Sequence, residues 1–176
     1  KLGQVLATRA DIFGLAFARD LGRLKDRLPP FPLEEARREI ERSLGRPVES
    51  LFVDLEPPVA AASLAQAHRA TLADGRAVAV KVLRPGVERR VANGLDSMRL
   101  AAALVWRLVP MARRLEPQAF VETIANSLDL ELDMRLEAAA ASEMAEVMAK
   151  DGYMSAPAVI WDGVGKRVLT LEWAPG

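Results

Sequence analysis

The chain has 176 residues, with 24 basic and 24 acidic side chains, one histidine and no cysteine. This length suffices for one hydrophobic core with an added helical layer. The balanced charge gives no bulk attraction to nucleic acid, so we expect no nucleic-acid partner. The composition also excludes a disulfide framework, thiol chemistry and a histidine-rich metal site.

The N-terminal part of the chain is predicted to be helical. Apolar residues recur at helical spacing over residues 1–28, which predicts two helices that end at a pair of prolines. A third, highly charged helix is predicted from Pro32 to Leu44. We assign residues 1–48 to an N-terminal helical extension.

The rest of the chain is predicted to form a block of strands, a block of helices and a second block of strands. Three strands are predicted first, then two long helices with an interruption near Pro110, and then two final strands. This order predicts an α+β fold, in which one antiparallel sheet packs against helices. The predicted strands are residues 51–56, 65–70, 76–83, 160–162 and 167–173, and the helices are residues 87–115 and 117–150.

A loop of small residues, Ala60-Ala61-Ala62-Ser63, joins the first two strands. In a protein kinase the phosphate loop has this position and is rich in glycine. Glycine lets backbone N–H groups approach phosphate oxygens, whereas the Cβ of alanine disfavours left-handed conformations. We therefore expect a stiffer loop that stands further from a nucleotide. The structural alternative is a small-residue turn in a packed core.

The third strand carries a lysine among small residues. Strand period two places Val78, Val80 and Val82 on one face, and Ala79 and Lys81 on the other. In a kinase-like site the lysine would reach the nucleotide phosphates, and Ala79 would leave room for an adenine ring. The alternative is a solvated lysine at a sheet edge.

Three carboxylates lie in the middle of the predicted helix 117–150. Asp133 and Glu137 are four residues apart on one face, so their repulsion calls for a cation from elsewhere, and Lys81 is the natural partner. The alternative is a solvated acidic face with an ion pair between Glu131 and Arg135.

These motifs, together with the opening residues, resemble those of the UbiB/AarF family of atypical protein-kinase-like proteins, in its bacterial branch. The family's Lys-x-Gly-Gln signature is matched by Lys1, Gly3 and Gln4, which alone would read as a frayed polar terminus. Its alanine-rich loop, strand lysine and Glu-x-Asp signature also occur here in the same order. The strand after the loop, typically Ala-Gln-Val-His-Arg-Ala, reads Ala-Gln-Ala-His-Arg-Ala at residues 65–70.

The resemblance implies a protein-kinase-like N-terminal lobe at residues 49–176, with a five-stranded antiparallel sheet packed against long helices. It implies that Lys81 contacts the nucleotide phosphates and pairs with Glu137. The nucleotide-binding residues would be Ala60, Ala61, Ala62, Ser63, Ala79, Lys81 and Glu137. A second group of residues would close over the nucleotide cleft: Lys1, Gly3, Gln4, Glu131 and Asp133.

The resemblance also implies that the catalytic aspartate and the metal ligands lie in a C-terminal lobe outside this chain, so no catalytic or metal-binding residue is expected here. The cofactor would be ATP or ADP with Mg²⁺. The full-length protein would be an atypical kinase-like ATPase or phosphotransferase that supports ubiquinone biosynthesis. It would be associated with the cytoplasmic side of the inner membrane and would act with pathway proteins and lipid intermediates.

The sequence permits a second interpretation and argues against a third. A non-catalytic lipid-binding or scaffold module of the same pathway could dock on a membrane through amphipathic N-terminal helices. A flavin-dependent hydroxylase is not supported, because no dinucleotide glycine fingerprint follows a strand and opens a helix. A lone strand histidine such as His68 is expected to be structural rather than catalytic.

Overall fold

A computed structural model describes residues 29–151 and 155–174. The two helices predicted over residues 1–28 therefore lie outside the described residues, as do Lys1, Gly3 and Gln4 of the Lys-x-Gly-Gln motif. The N-terminal boundary at residue 48 stays a prediction.

The described residues form helices and strands in the predicted order. The helices are α1 (Leu33–Leu44), α2 (Val87–Leu108), α3 (Pro117–Glu131) and α4 (Met134–Asp151), with short 3-10 helices at Val48–Ser50, Pro110–Leu115 and Trp161–Gly163. The strands are β1 (Phe52–Ala61), β2 (Ala65–Leu72), β3 (Ala77–Leu83) and β4 (Val168–Glu172). The interruption predicted near Pro110 is confirmed, since α2 ends just before it.

The four strands of the described residues form one antiparallel sheet in the order β1-β2-β3-β4. The prediction of five strands is wrong, because residues predicted as a strand at 160–162 enter the 3-10 helix Trp161–Gly163. There the Gly163 N–H donates to the Ile160 carbonyl, a local bond in place of a ladder bond. Just before this segment, Val159 forms an isolated bridge with Leu171 of β4.

The single helix predicted over residues 117–150 is also wrong, because it is divided into α3 and α4. The helical conformation is interrupted at Leu132 and Asp133. The Met134 N–H at the start of α4 donates to the Lys166 carbonyl at 3.0 Å. The break contains neither glycine nor proline, so the sequence carried no strong signal of it.

Apolar residues pack on both faces of the sheet. On one face Val78, Val80 and Val82 are fully buried, as the strand alternation predicts, and they share a core with Ala36 and Ile40 of α1. On the other face, Met134 and Ala138 of α4 pack against residues of β2, β3 and β4: Ala65, Leu83 and Leu169. The second core holds α4 over the face of β3 that carries Lys81.

Helices α2 and α3 pair with each other through a seam of small and branched residues, Leu95, Ala102, Val121 and Ala125. They form an antiparallel hairpin joined by the 3-10 helix Pro110–Leu115. Across residues 29–151 and 155–174, no helix has both the length and the apolar character needed to cross a membrane.

Candidate functional site

The centre of the candidate site is an ion pair between β3 and α4. The Lys81 ammonium donates to both carboxylate oxygens of Glu137, with Nζ 2.6 Å from each. Lys81 pairs with Ala67 of β2 and Leu169 of β4 on the same face of the sheet, and Leu169 is part of the core under α4. The contact between Lys81 and Glu137 that the resemblance implies is therefore present. Both side chains stay more than a third exposed, so the ammonium is accessible to a ligand.

Glu137 owes its position to Asp133, which caps helix α4. Asp133 Oδ1 accepts a hydrogen bond from the Arg135 backbone N–H, the usual contact of an N-cap carboxylate. The Arg135 guanidinium also donates to both Asp133 oxygens, at 2.9 and 2.6 Å. These hydrogen bonds lower the pKa of Asp133. Asp133 therefore fixes the first turn of α4, which presents Glu137 to Lys81.

The alanine loop borders the same lysine. Ala60, Ala61 and Ala62 line a shallow cavity of about 150 Å³ together with Lys81. Ala60 and Ala61 end strand β1, which reaches further than predicted because register shifts between Phe52 and Ala60 accommodate its two prolines. Small-molecule sites usually enclose about 300–1,000 Å³, so this cavity can be only one wall of a nucleotide site.

Arg84, which the sequence analysis did not single out, anchors the loop. Its Nε donates to the Ala62 carbonyl at 2.8 Å, and its backbone N–H donates to the Leu64 carbonyl at 2.8 Å. The guanidinium also donates to the Pro29 carbonyl at 3.1 Å and lies 5.7 Å from the Phe31 ring centre. Burial lowers the pKa of Arg84. The Ala62 N–H donates to the Ala65 carbonyl, so this donor is already used within the hairpin.

A second arginine connects this anchor to α1. Arg167 donates from Nε to the buried carboxylate of Glu39 at 2.7 Å, and from a terminal nitrogen to the Arg84 carbonyl at 2.9 Å. It also forms an ion pair with Glu88 of α2. Helix α1, the start of α2 and the alanine loop are therefore linked through the hydrogen bonds and ion pairs of two arginines.

His68 is a structural residue of the hairpin. Its ring is fully buried, with Nδ1 2.8 Å from the Glu56 carbonyl and Nε2 2.8 Å from the amide nitrogen of Gln66. These partners fix a neutral ring with the proton on Nδ1, and burial lowers the pKa of His68. The Gln66 amide in turn bonds the Phe31 backbone N–H and carbonyl. His68 and Gln66 thus hold the segment before α1 against β2.

The structure gathers only part of the predicted nucleotide-binding residues. Ala60, Ala61 and Ala62 meet Lys81 in one cavity, and Glu137 bonds the lysine. Ser63 does not line that cavity, and Ala79 lies two positions along β3, opposite Leu171 and Arg69.

The Glu-x-Asp signature falls on the break between two helices. Glu131 is the last residue of α3, whereas Asp133 lines a separate cleft of about 490 Å³, between α2 and α3, with Lys166 at its edge. Lys81 forms an ion pair with Glu137, whereas Asp133 forms an ion pair with Arg135. Helical spacing did not predict the pairing of Arg135 with Asp133, because Asp133 lies in the interruption between α3 and α4.

Arg84 and Gln66 are the residues of the site that sequence reasoning missed. The available signals were weak: Gln66 stands in the Ala-Gln-Ala-His segment, and Arg84 directly follows the apolar strand β3. Among the described residues, no group of three or more histidine, cysteine, aspartate or glutamate side chains could hold a metal ion.

An antiparallel sheet, a strand lysine and a helix glutamate bonded to that lysine define the N-terminal lobe of a kinase-like protein. The family model described as the ABC1 atypical kinase-like domain matches residues 23–176. The chain therefore belongs to the ABC1 family of atypical kinase-like domains.

Relatives named probable protein kinase UbiB confirm the resemblance to the UbiB group. The protein of that name from Marinobacter nauticus is 42% identical over 173 residues, which are 98% of this chain and 32% of the relative. The one from Xylella fastidiosa strain M23 is 40% identical, with 31% of its length covered. The chain thus spans about a third of the length of these curated relatives.

A solved structure has the same fold. In the complex of Rv3197 with erythromycin from Mycobacterium tuberculosis, the protein matches with a TM-score of 0.73 and 30% sequence identity. The match covers 99% of this chain and 43% of that protein. The kinase-like fold is therefore shown, with a sheet of four strands among the described residues.

Proposed function

We propose that this chain is the nucleotide-binding N-terminal lobe of an atypical kinase or ATPase that supports ubiquinone biosynthesis. The observation that carries the proposal is the bidentate contact of Lys81 with Glu137 beside the alanine loop. A structural ion pair would not need a cavity of small residues next to it.

The residues around Lys81 fit the phosphates of a nucleotide. Glu137 holds the ammonium at the edge of the cavity, and the small side chains of Ala60, Ala61 and Ala62 leave the approach open. Since the Ala62 N–H is used within the hairpin and is not available to a phosphate, the cationic lysine would carry phosphate recognition. This arrangement supports ATP or ADP as the ligand.

Mg²⁺, when bound, would neutralise part of the charge of the phosphates. We propose that its ligands belong to a second lobe, as the greater length of the relatives allows. The residues of this chain would hold the nucleotide and orient its phosphates. Transfer of the γ-phosphoryl group to water would give ADP and inorganic phosphate, and transfer to an acceptor hydroxyl would give ADP and a phosphate ester.

The connection to ubiquinone rests on the UbiB name of the relatives. In the intact protein, we propose an association with the cytoplasmic side of the inner membrane and action on or beside lipid intermediates and pathway proteins. Ser63 and Ala79 are proposed to border the nucleotide. A second group is proposed to lie over the nucleotide cleft: Lys1, Gly3, Gln4, Glu131 and Asp133.

Release of inorganic phosphate from ATP by the intact protein tests the proposal. Lys81→Ala and Glu137→Gln are each expected to lower the rate at least tenfold, since the first removes the cation that would meet the phosphates and the second removes the carboxylate that holds this cation in place. The matched controls are Lys150→Ala and Glu146→Gln, exposed residues of α4. Phosphate release that is unchanged in Lys81→Ala would reject the kinase-type site and favour the non-catalytic lipid-binding or scaffold module.

A further inference from the structure

The far end of the α2–α3 hairpin exposes an unusual number of large apolar side chains. We define the hairpin tip as residues 104–120, which covers the end of α2, the 3-10 helix and the start of α3. Its exposed large apolar side chains are between 39% and 87% accessible: Leu104, Val105, Trp106, Leu108, Val109, Met111, Leu115 and Phe120. Scattered exposed apolar residues are normal, but a contiguous cluster marks an interaction surface.

The cluster does not serve the packing of the hairpin itself. The seam between α2 and α3 is formed by Leu95, Ala102, Val121 and Ala125, which are at most 7% exposed. In the 3-10 helix of the tip, none of the residues is buried. The apolar side chains of the tip are therefore available to a surface outside the described residues.

The charges of the tip select the kind of surface. Between Leu104 and Leu115 there are three arginines and no acidic residue, and Glu116 is the single acidic residue of the tip. Within the described residues, neither Arg107 nor Arg114 forms an ion pair. These two charges are left for an anionic partner.

Trp106, one of the two aromatic residues of the tip, is suited to the boundary between lipid and water. Trp106 has the Arg113 guanidinium 4.8 Å from its ring centre, and Arg113 Nε also donates to the Trp106 carbonyl. Tryptophan and arginine are typical of the headgroup level, because each combines an apolar body with a polar end.

We propose that the hairpin tip docks on the surface of an anionic lipid bilayer. The apolar side chains of the tip enter the boundary between headgroups and acyl chains, and Arg107 and Arg114 bind lipid phosphates. Helix α2 has 22 residues, so it carries the tip about 33 Å from its first residue, Val87. The tip would thus hold the protein on a membrane without covering Lys81, and this inference does not depend on nucleotide binding.

Vesicle binding by the intact protein tests the proposal. Co-sedimentation is measured with phosphatidylcholine vesicles, with and without phosphatidylglycerol. Two tip variants are compared with the unmodified protein: the triple substitution Trp106→Ser, Leu108→Ser and Met111→Ser, and the double substitution Arg107→Gln and Arg114→Gln. Each is expected to weaken binding to anionic vesicles by about tenfold or more, since each arginine near such a surface contributes on the order of 1 kcal/mol.

Matched controls separate the tip from general surface effects. Val53→Ser removes an apolar side chain that is 73% exposed on β1, and the double substitution Arg38→Gln and Arg89→Gln removes two exposed arginines elsewhere. Both controls are expected to bind like the unmodified protein. Because the substituted side chains are exposed, thermal unfolding should be unchanged in every variant.

A second readout locates the contact. Lipids with brominated acyl chains are expected to quench tryptophan emission in the unmodified protein, and the quenching should be lost in Trp106→Phe. Unquenched emission, or equal vesicle binding by the tip variants and the controls, would overturn the proposal. Loss of self-association or of a protein complex in the tip variants, with vesicle binding intact, would also overturn it and identify a protein-binding face.

Discussion

Lys81 Nζ lies 2.6 Å from both carboxylate oxygens of Glu137, across a sequence separation of 56 residues. The contact joins the sheet to α4, yet the two side chains are 38% and 45% exposed. An exposed pair of this kind contributes little to stability, because water screens the charges and ordering the side chains has an entropic cost. We therefore expect the pair to add little to the stability of the fold, as the proposed role in nucleotide binding requires.

A double-mutant cycle tests this distinction. The unfolding free energy of the intact protein is measured for Lys81→Ala, Glu137→Ala and the double variant. The coupling energy is expected to be about 1 kcal/mol or less, as for other solvent-exposed pairs. A coupling of several kcal/mol would instead assign the pair a structural role.

Removal of the cap on α4 should destabilise the protein. Asp133→Ala is expected to cost about 1 kcal/mol, because the Arg135 backbone N–H loses its acceptor. Asp133→Ser should retain most of the stability, since serine is also a good N-cap residue. Urea unfolding measures both, with Asp129→Ala of α3 as the control. Equal stability of the alanine and serine variants would contradict the capping role.

The same residue gives a pH dependence at the acid end. The hydrogen bonds from Arg135 lower the pKa of Asp133 below its ordinary value of 3.8. The ionised carboxylate therefore stabilises the fold fully above that value, and the stabilisation is lost as the pH falls through the lower folded-state pKa. The difference in stability between the unmodified protein and Asp133→Ser should shrink on acidification in this window. A difference that grows there would contradict the assignment.

Loss of the Arg84 anchor should loosen the alanine loop. Arg84→Met leaves the Ala62 and Pro29 carbonyls without this donor, at a cost of about 2 kcal/mol or more. Amide hydrogen exchange at residues 60–64 should accelerate in Arg84→Met. The control Arg89→Met, at an exposed position of α2, should change neither the stability nor the exchange rate. Unchanged exchange in Arg84→Met would show that the loop is rigid without the anchor.

His68 should make the protein less stable at mildly acidic pH. Burial lowers the pKa of His68 below its ordinary value of 6.5, so the folded protein resists a proton that the unfolded chain accepts. Stability should fall as the pH drops below 6.5 and level off below the folded-state pKa. In His68→Gln this contribution should be absent, which urea unfolding at several pH values would detect. The same dependence of the unfolding free energy on pH in both proteins would contradict the assignment of a buried neutral ring to His68.

Local patterns predicted the parts of the fold that follow from short-range physics. The alternation of Val78, Val80 and Val82 identified the buried face of β3, and the proline at 110 identified the end of α2. The α+β layout and the contact of Lys81 with Glu137 also agree with the structure, although the latter came from the family resemblance.

Two of the remaining features depend on contacts between distant segments, and a third depends on a local hydrogen bond. The break before α4 is stabilised by the Lys166 carbonyl, which lies 32 positions further along the chain than its donor, Met134. The anchoring of Ala62 by Arg84 likewise requires three strands to be in register. Residues 160–162 have strand-like composition, but a local bond to Gly163 forms a 3-10 helix there. None of these contacts has a periodic signal in the sequence.

Equilibrium binding of ATP with Mg²⁺ to the intact protein tests the central claim most directly. Lys81 is proposed to meet the phosphates, so Lys81→Ala should weaken binding by at least tenfold, as expected for loss of a charged contact. Lys150→Ala, which removes an exposed lysine of α4, should bind like the unmodified protein. Equal affinity in Lys81→Ala and Lys150→Ala would contradict the assignment of the site.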